Sequence, residues 1–415
     1  MNTALRHWKE AATVILAAGR KHKLTGDTLP RRVDTIPGRV DTIPGRVDKA
    51  NPVKPDSNLP DKSDFDYDVL LLKRSGTSGF MPNAYVFPGG VVEASDFSSE
   101  WMDVFKTFRH LPNFGLGFVK QPRETRPPIF ATDRVMLGSP IPGDVGFRIC
   151  AVRETFEESG VLLLVPKDQE MNVMDSIEDK TGGQPGLTRT TEICKDDLAK
   201  WRVLVNENPS NFIKMCRELE CLPNIWALRE WGNWLTPKGL HGKQRRYDTA
   251  FYMCCLQEKP PHTFQDEQEI VHAKWTTPPE VLQSYRDRDL WIAPPQFYDL
   301  SRLCRFPFLL DLHSFSTLRA AEGCERWLPV RMVSGKNFVA LLPGDELYPE
   351  ERSDQMNPVN TNQRLDKHLD EGSALHRLVL ADSYSVDIHV TIPPKYRHML
   401  PVTGPSLKPK YSSHL

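Results

Sequence analysis

The sequence predicts an α/β fold, and three observations support that prediction. Apolar runs of strand length occur at 11–18, 68–73 and 250–256, and each ends at a polar residue or glycine. Segments with helical periodicity lie between them, the clearest at 149–159 and about 191–205. The chain has 415 residues, which is long enough for one large domain or two with a sizeable core.

The composition argues against a nucleic-acid-binding or membrane-spanning protein. The net charge is −1 with 26% charged residues, and no basic tail or arginine-rich arm indicates a nucleic-acid surface. Apolar runs such as 11–18 are far too short to cross a bilayer, so no membrane span is predicted. The eight cysteines include no Cys-x-x-Cys pair, which predicts buried free thiols in a reducing compartment.

A polar, proline-rich segment over 21–66 separates the first two predicted strands. It contains two tandem copies of Arg-Val-Asp-Thr-Ile-Pro-Gly, at Arg32–Gly38 and Arg39–Gly45. Two such heptads cannot build a repeat domain, so we interpret the segment as a flexible insertion in a loop. Lengthening a loop costs only ~0.6 kcal/mol per doubling, which the fold tolerates.

The most informative stretch, Arg153–Val161, reads Arg-Glu-Thr-Phe-Glu-Glu-Ser-Gly-Val. At roughly 100° per residue on a helix, Glu154 and Glu158 lie nearly in line, with Glu157 close beside them. Three carboxylates this close repel one another unless a cation lies among them, and hard oxygen ligands suit Mg²⁺ or Mn²⁺. The helix is therefore a candidate metal site, and a solvated acidic helix face is the alternative.

The opposite side of the same helix is apolar. Ile149, Val152 and Phe156 have the spacing of a stripe that faces a core. Gly160 supplies a helix stop, and the apolar run 161–165 predicts a strand that leaves this turn. We therefore expect the three carboxylates to project outward together from an anchored base.

This stretch resembles the second half of the Nudix box, the metal-binding loop–helix–loop of the Nudix hydrolases. The first half is found far upstream, where Phe87–Glu93 reads Phe-Pro-Gly-Gly-Val-Val-Glu and the acid position falls on Asp96. The box is therefore predicted to be split by an insertion at about 97–146. The aromatic segment from Trp101 to Phe108 is expected to pack and to form a wall for the substrate.

The resemblance implies an α/β/α sandwich with a mixed sheet and the box helix on one face. It implies a Nudix domain over 1–290, with the insertions at 21–66 and 97–146 projecting from the edges. An extension over 291–410 and a targeting tail at 411–415 follow. Within the extension, helical periodicity over 294–323 followed by β-like pieces predicts a helical segment and a small appended sheet.

The resemblance also assigns roles. Glu154, Glu157 and Glu158 are the expected metal ligands and, with Arg153, the expected catalytic residues, Arg153 fixing the geometry of a neighbouring glutamate. Gly89 and Gly90 let the backbone turn tightly beside the helix and are expected to contact the substrate. The general base stays open between a box glutamate and a later acid, Glu267 or Glu269.

A signature upstream of the box is similar to that of the Nudix hydrolases of coenzyme A. Leu70, Leu71, Arg74, Ser75 and Phe87–Gly90 match it, whereas Leu72, Gly79 and Asn83 depart from it. Coenzyme A and acyl-coenzyme A are the implied substrates, with 3′,5′-ADP and (acyl-)4′-phosphopantetheine as products.

A basic doublet, Arg245 and Arg246, precedes the strand at 250–256 and resembles the segment after the box in the same subgroup. With Arg74, it is expected to bind the phosphate-rich substrate, although a solvated loop pair is an equal alternative. Other substrates of the same chemistry stay open, namely a dinucleotide, a nucleotide sugar or capped RNA. A non-catalytic nucleotide-binding module is the remaining alternative.

The sequence ends in Ser413-His414-Leu415, a conservative variant of the Ser-Lys-Leu peroxisomal address. It predicts peroxisomal localisation, with the import receptor as a partner, and an exposed, poorly ordered tail after about residue 403. The basic flavour of residues 1–10 leaves a mitochondrial presequence as the alternative.

Overall fold

The computed structural model describes residues 8–20, 59–178, 187–190, 195–237, 246–257, 259–264, 269–334, 337–349, 359–360 and 373–402. Four predicted features lie outside these residues. They are the tandem repeat with most of its insertion, Arg245, Glu267, and the tail with Ser413, His414 and Leu415.

The first half of the chain supplies most of the central sheet and the box helix. Its elements are β1 (Lys9–Gly19), β2 (Tyr67–Arg74), β3 (Ala84–Val86), β4 (Gly89–Val91), α1 (Trp101–Val104), α2 (Pro128–Ala131), α3 (Gly143–Ser159), β5 (Leu164–Pro166), α4 (Glu170–Glu178), α5 (Lys195–Glu207) and α6 (Asn211–Glu218).

The second half completes that sheet and adds a second one. Its elements are β6 (Cys221–Pro223), β7 (Arg229–Leu235), β8 (Tyr247–Leu256), β9 (Ile270–Thr276), α7 (Pro278–Arg286), β10 (Trp291–Ile292), α8 (Pro294–Leu303), α9 (Leu309–Ala320), β11 (Arg326–Trp327), β12 (Val330–Ser334), β13 (Asn337–Leu341), β14 (Val359–Asn360), β15 (His376–Asp382) and β16 (Ser385–Val390).

The largest sheet in the described residues is mixed and has nine strands. Its order is β10-β3-β2-β1-β8-β7-β11, with β4 paired to β1 and β9 paired to β2. β1 runs parallel to β8 and antiparallel to β2. The continuous apolar runs of β1 and β8 follow from this central position, because both of their faces are covered.

Successive residues of β1 point to opposite hydrophobic layers. Val14 and Leu16 join the layer that contains α3, whereas Ile15 and Ala17 join the layer that contains α7, α8 and α9. Ile149, Val152 and Phe156 are fully buried against the first layer, as their spacing predicted. The predicted α/β/α sandwich with a mixed sheet is therefore confirmed.

Several predicted boundaries are wrong. The box helix begins at Gly143 rather than near Ile149, because Pro142 takes the extended N-cap position, so residues 143–146 belong to α3 and not to the insertion. The strand after the helix spans Leu164–Pro166 rather than 161–165. Residues 59–66 do not belong to a flexible insertion, because they include a 3₁₀ turn and bury Phe65.

The aromatic residues of the insertion that splits the box pack in the core. Trp101, Phe105 and Phe108 are each 1% exposed or less, and the ring centroids of Phe108 and Trp226 are 4.4 Å apart. The expectation that they pack is confirmed, and the expectation that they form a wall for the substrate is wrong. Burial of such large side chains stabilises the fold strongly. The polar residues on either side of the segment gave no indication of this burial in the sequence.

The predicted appended sheet is present and has five strands among the described residues, in the order β14-β12-β13-β15-β16. It is attached to the main domain through α8, where Tyr298 Oη and His376 Nε2 lie 3.0 Å apart. In the part of the chain that the structure describes, no helix has both the length and the apolar character needed to cross a membrane.

Candidate active site

The two halves of the split box meet in a buried ion pair between Asp96 and Arg153. Nε and Nη2 of Arg153 donate to the two carboxylate oxygens of Asp96, each at 2.8 Å, and both side chains are 1% exposed. The carboxylate of Asp96 also accepts the backbone N–H of Glu93. The structure thus brings together two halves that the insertion separates in sequence.

Arg153 also holds two of the predicted metal ligands. Its Nη1 donates to Glu154 Oε1 and to Glu157 Oε1, each at 2.9 Å, and its Nη2 donates to the carbonyl of Val91 at 3.1 Å. One guanidinium therefore contacts three carboxylates, those of Asp96, Glu154 and Glu157. This agrees with its predicted role of fixing the geometry of neighbouring glutamates.

The carboxylate of Glu158 is buried, whereas the sequence predicted that it would project outward from the helix. It is 4% exposed, and its Oε2 accepts the backbone N–H of Gly89 at 2.8 Å. Glu154 and Glu157 are 13% and 14% exposed. The expectation of carboxylates projecting outward is therefore wrong, because β4 lies across this side of the helix.

Both box glycines are required by close contacts. A Cβ at Gly90 would lie 2.4 Å from Glu154 Oε2, so only glycine leaves room for this carboxylate. Gly89 has φ +154°, and a Cβ there would lie 2.4 Å from the carbonyl oxygen of Ala12. The two glycines let β4 approach both β1 and the box helix.

Burial and mutual repulsion make this cluster electrostatically costly. The pKa of Glu154 is raised to about 8, first by burial and then by the charges of Glu157 and Asp96, against the lowering effect of Arg153. Burial also raises the pKa of Glu158 well above its usual value, with an added contribution from Glu154. A bound cation would relieve this repulsion.

The residues fit a divalent cation in donor type and charge. Within the described ranges, no three acidic, histidine or cysteine side chains converge in the geometry of a metal site. Glu154 and Glu157 are instead oriented by Arg153, and Glu158 by Gly89. Three carboxylates within two turns of one helix, one buried and two half-buried, are nevertheless the hard donors that Mg²⁺ and Mn²⁺ prefer.

Arg74 and Glu269 lie at the Glu158 end of the cluster. Arg74 Nη2 contacts Glu269 Oε1 at 2.5 Å, and Arg74 Nε donates to Ser78 Oγ and to the carbonyl of Phe80. The charge of Glu269 raises the pKa of Glu158, and that of Arg74 lowers it, although burial has the larger effect. The structure thus brings a predicted substrate contact and a candidate base to the box helix.

Arg246 has contacts that stabilise the fold. It is 8% exposed, its guanidinium carbon lies 4.1 Å from the ring centroid of Trp8, and its Nε donates to the carbonyl of Thr236 at 3.2 Å. We therefore leave it out of the proposed site.

The sequence identified Asp96 only as the acid in the first half of the box. In the structure, Asp96 lies at the centre of the cluster, where it pairs with Arg153.

The sequence of the chain is similar to one known group of proteins along most of its length. The family model described as the NUDT19 Nudix domain matches residues 8–303, and the model of the NUDT19 C-terminal domain matches residues 331–391. The protein named acyl-coenzyme A diphosphatase NUDT19 in Gallus gallus is 45% identical over 421 residues, covering 100% of both chains.

Two further relatives carry the same name. The protein of Xenopus laevis is 46% identical over 97% of this chain and 98% of its own length. The protein of Homo sapiens is 39% identical over 97% of each chain. Because one family model covers most of the sequence and these relatives match nearly all of it, the chain belongs to the NUDT19 group of the Nudix hydrolase family.

Proposed function

We propose that the chain is a divalent-metal-dependent diphosphatase of coenzyme A and acyl-coenzyme A. Its products would be 3′,5′-ADP and 4′-phosphopantetheine or its acylated form. The observation that carries the proposal is the buried cluster in which Arg153 joins Asp96 to Glu154 and Glu157, with Glu158 beside them. The substrate class is supported by the relatives named acyl-coenzyme A diphosphatase.

Glu154, Glu157 and Glu158 would hold Mg²⁺ or Mn²⁺. When bound, the ion supplies positive charge to the oxygens of the diphosphate, which carry negative charge throughout the reaction. Arg153 fixes two of these carboxylates through hydrogen bonds of 2.9 Å. The backbone N–H of Gly89 fixes the third.

We assign the general base to Glu269. Its side chain is 55% exposed and therefore accessible to water, whereas Glu158 is buried and accepts a backbone hydrogen bond. Arg74 contacts Glu269 and fixes the position of its carboxylate, as a base must be positioned against its water. Glu269 would take one proton from water as the new P–O bond forms and the diphosphate P–O bond breaks. Arg74 would also present positive charge to the phosphates.

Product analysis by mass tests this assignment. The purified chain is incubated with coenzyme A, an acyl-coenzyme A, a dinucleotide, a nucleotide sugar and capped RNA, each with Mg²⁺, with Mn²⁺ and with a chelator. We expect metal-dependent release of 3′,5′-ADP from both coenzyme A species at the highest kcat/KM of the panel. Preferred cleavage of another substrate would replace the proposed one, and binding without cleavage would favour a nucleotide-binding module.

We further propose that Ser413-His414-Leu415 directs the protein to peroxisomes through the import receptor. The proposal is supported by the similarity of these residues to the Ser-Lys-Leu address. Removing Leu415 should leave the protein in the cytosol with unchanged activity in vitro. Import of the truncated protein into peroxisomes, or of the intact protein into mitochondria, would contradict the proposal.

A further inference from the structure

A short 3₁₀ turn in the insertion that splits the box exposes three consecutive apolar side chains. Val135, Met136 and Leu137 are 68%, 82% and 49% exposed. Exposed runs of this kind lower solubility and are retained where they have a function. The exposure is not general to the insertion, because its aromatic residues Trp101 and Phe105 are buried.

The turn has a rigid base. Arg134, which precedes it, is 7% exposed and donates through Nη1 and Nη2 to the two carboxylate oxygens of Glu10, at 2.9 and 2.8 Å. Its guanidinium also stacks on the rings of Phe97 and Phe147, at 4.9 and 5.3 Å from their centroids. The apolar side chains are therefore presented on a fixed support, and little ordering is needed when they bind a ligand.

The support connects the turn to the carboxylate cluster. Both ends of the turn contact Phe97, since Arg134 stacks on its ring and Ser139 Oγ donates to its carbonyl at 2.7 Å. Phe97 directly follows Asp96, the partner of Arg153. The carboxylate of Glu10 holds Arg134. The backbone carbonyl of the same residue accepts the N–H of Val92, which directly follows β4. The turn is thus built on the two segments that frame the box helix.

We propose that Val135, Met136 and Leu137 bind the acyl chain of the substrate, an inference that rests on the function proposed above. In acyl-coenzyme A, the acyl group is joined to the diphosphate by an arm of three amide-linked units, each at least as long as an amino-acid residue, so the extended arm is at least ~10 Å long at ~3.5 Å per unit. The acyl chain therefore begins well outside the carboxylate cluster, where only an apolar surface can bind it. Met136 has an unbranched, adaptable side chain that suits chains of different length.

The test compares chain lengths in a variant of the turn. Val135→Ser, Met136→Ser and Leu137→Ser are combined, and kcat/KM is measured for coenzyme A, acetyl-coenzyme A and a long-chain acyl-coenzyme A below its micelle concentration. We expect at least a tenfold loss for the long-chain substrate, because apolar contact area is removed. The values for coenzyme A and acetyl-coenzyme A should change less than twofold. The three side chains are exposed, so the melting temperature should not change.

Leu318→Ser is the matched control. Leu318 is 65% exposed and lies on α9, against the other face of the sheet, so its replacement should leave every substrate unaffected. Equal losses for all chain lengths in the turn variant would overturn the inference, because they would indicate a general structural role. An unchanged long-chain value would overturn it as well.

Three outcomes separate this inference from its alternatives. If the wild-type protein hydrolyses no coenzyme A species, the proposed function has failed and the inference falls with it. If it hydrolyses them and the variant keeps the wild-type chain-length profile, only the inference has failed. Loss of binding to phosphatidylcholine vesicles with an unchanged profile would assign the turn to a lipid surface instead.

Discussion

Two buried arginine–aspartate pairs in this chain have nearly the same geometry and different surroundings. Arg153 and Asp96 join the box helix to the segment before the insertion, through two bonds of 2.8 Å. Arg377 and Asp345 join β15 to the loop after β13, through two bonds of 2.6 Å. All four side chains are 1% exposed or less.

The difference lies in the other acids nearby. The carboxylates of Glu154 and Glu157 also contact Arg153, at 2.9 Å, so negative charge exceeds the single positive charge that they share. Around Arg377, the additional carboxylate within 4.0 Å in the described part of the chain is that of Glu346, at 4.0 Å. The same interaction therefore ties a strand to a loop in one region. In the other it gathers the surplus negative charge that we propose to bind a divalent cation.

Breaking the two pairs gives the largest expected effects. Asp345→Asn should lower the free energy of unfolding by ~3–5 kcal/mol, because it leaves the buried Arg377 without a carboxylate in hydrogen-bond contact. Asp96→Asn should lower it by less, because Arg153 keeps its contacts with Glu154 and Glu157. Only Asp96→Asn should also abolish activity, by more than a hundredfold in the protein that remains folded. Urea unfolding and rates on coenzyme A at low temperature measure both effects. A folded but inactive Asp345→Asn variant would remove the distinction between the pairs.

Neutralising one acid in each region separates activity from stability. Glu158→Gln should lower the rate at least a hundredfold at saturating Mg²⁺, without lowering the free energy of unfolding. Burial already raises the pKa of Glu158, so its charge does not stabilise the fold. Glu346→Gln, beside Arg377, is the matched control and should retain the wild-type rate. A Glu158→Gln variant that keeps a tenth of the wild-type rate would count against the metal assignment.

A single methyl group tests how closely β4 must approach the helix. Gly90→Ala would place a Cβ 2.4 Å from Glu154 Oε2, so we expect the carboxylate to move and the rate to fall about tenfold, a barrier increase of ~1.4 kcal/mol. Gly232→Ala on β7 is the control, because a Cβ there meets no atom within 4 Å. Equal rates in the two variants would show that the position of Glu154 is not critical.

The last effect, expected only below pH 6.5, is an acid sensitivity of the region around Arg377 and Asp345. Burial lowers the pKa of His376 from 6.5 to about 4, so the unfolded chain binds a proton first as the pH falls. The stability contributed by neutral His376 is complete above pH 6.5 and is lost between pH 6.5 and 4, by roughly 1–3 kcal/mol. Urea midpoints at several pH values should therefore fall less steeply in His376→Gln. Parallel slopes for the two proteins would contradict this.

The sequence predicted the features that depend on local periodicity. The stripe of Ile149, Val152 and Phe156 identified the buried face of the box helix, and its glycine stop is observed at Gly160, which has φ +74°. The continuous apolar runs at 11–18 and 250–256 identified two strands, and the structure shows both in the middle of the sheet as β1 and β8. The spacing from Gly90 located Asp96, which made the split box recognisable.

Features that depend on tertiary contacts were not predictable. Helical periodicity placed the glutamates on one side, but it could not show that β4, a strand of Gly89–Val91, covers that side. Glycine has low strand propensity, so this strand has no local signal. The aromatic residues of the insertion, among them Phe108, gave no sign that their partner would be Trp226.

The central claim, that the surplus acids around Arg153 serve a divalent cation, is tested most directly by titrating Mg²⁺ into the protein and following the free energy of unfolding. Wild type and Asp345→Asn should gain the same stability, ~2.7 kcal/mol at a hundred times the dissociation constant. Glu158→Gln should gain little. No gain in the wild type, or the same gain in Glu158→Gln, would contradict the claim.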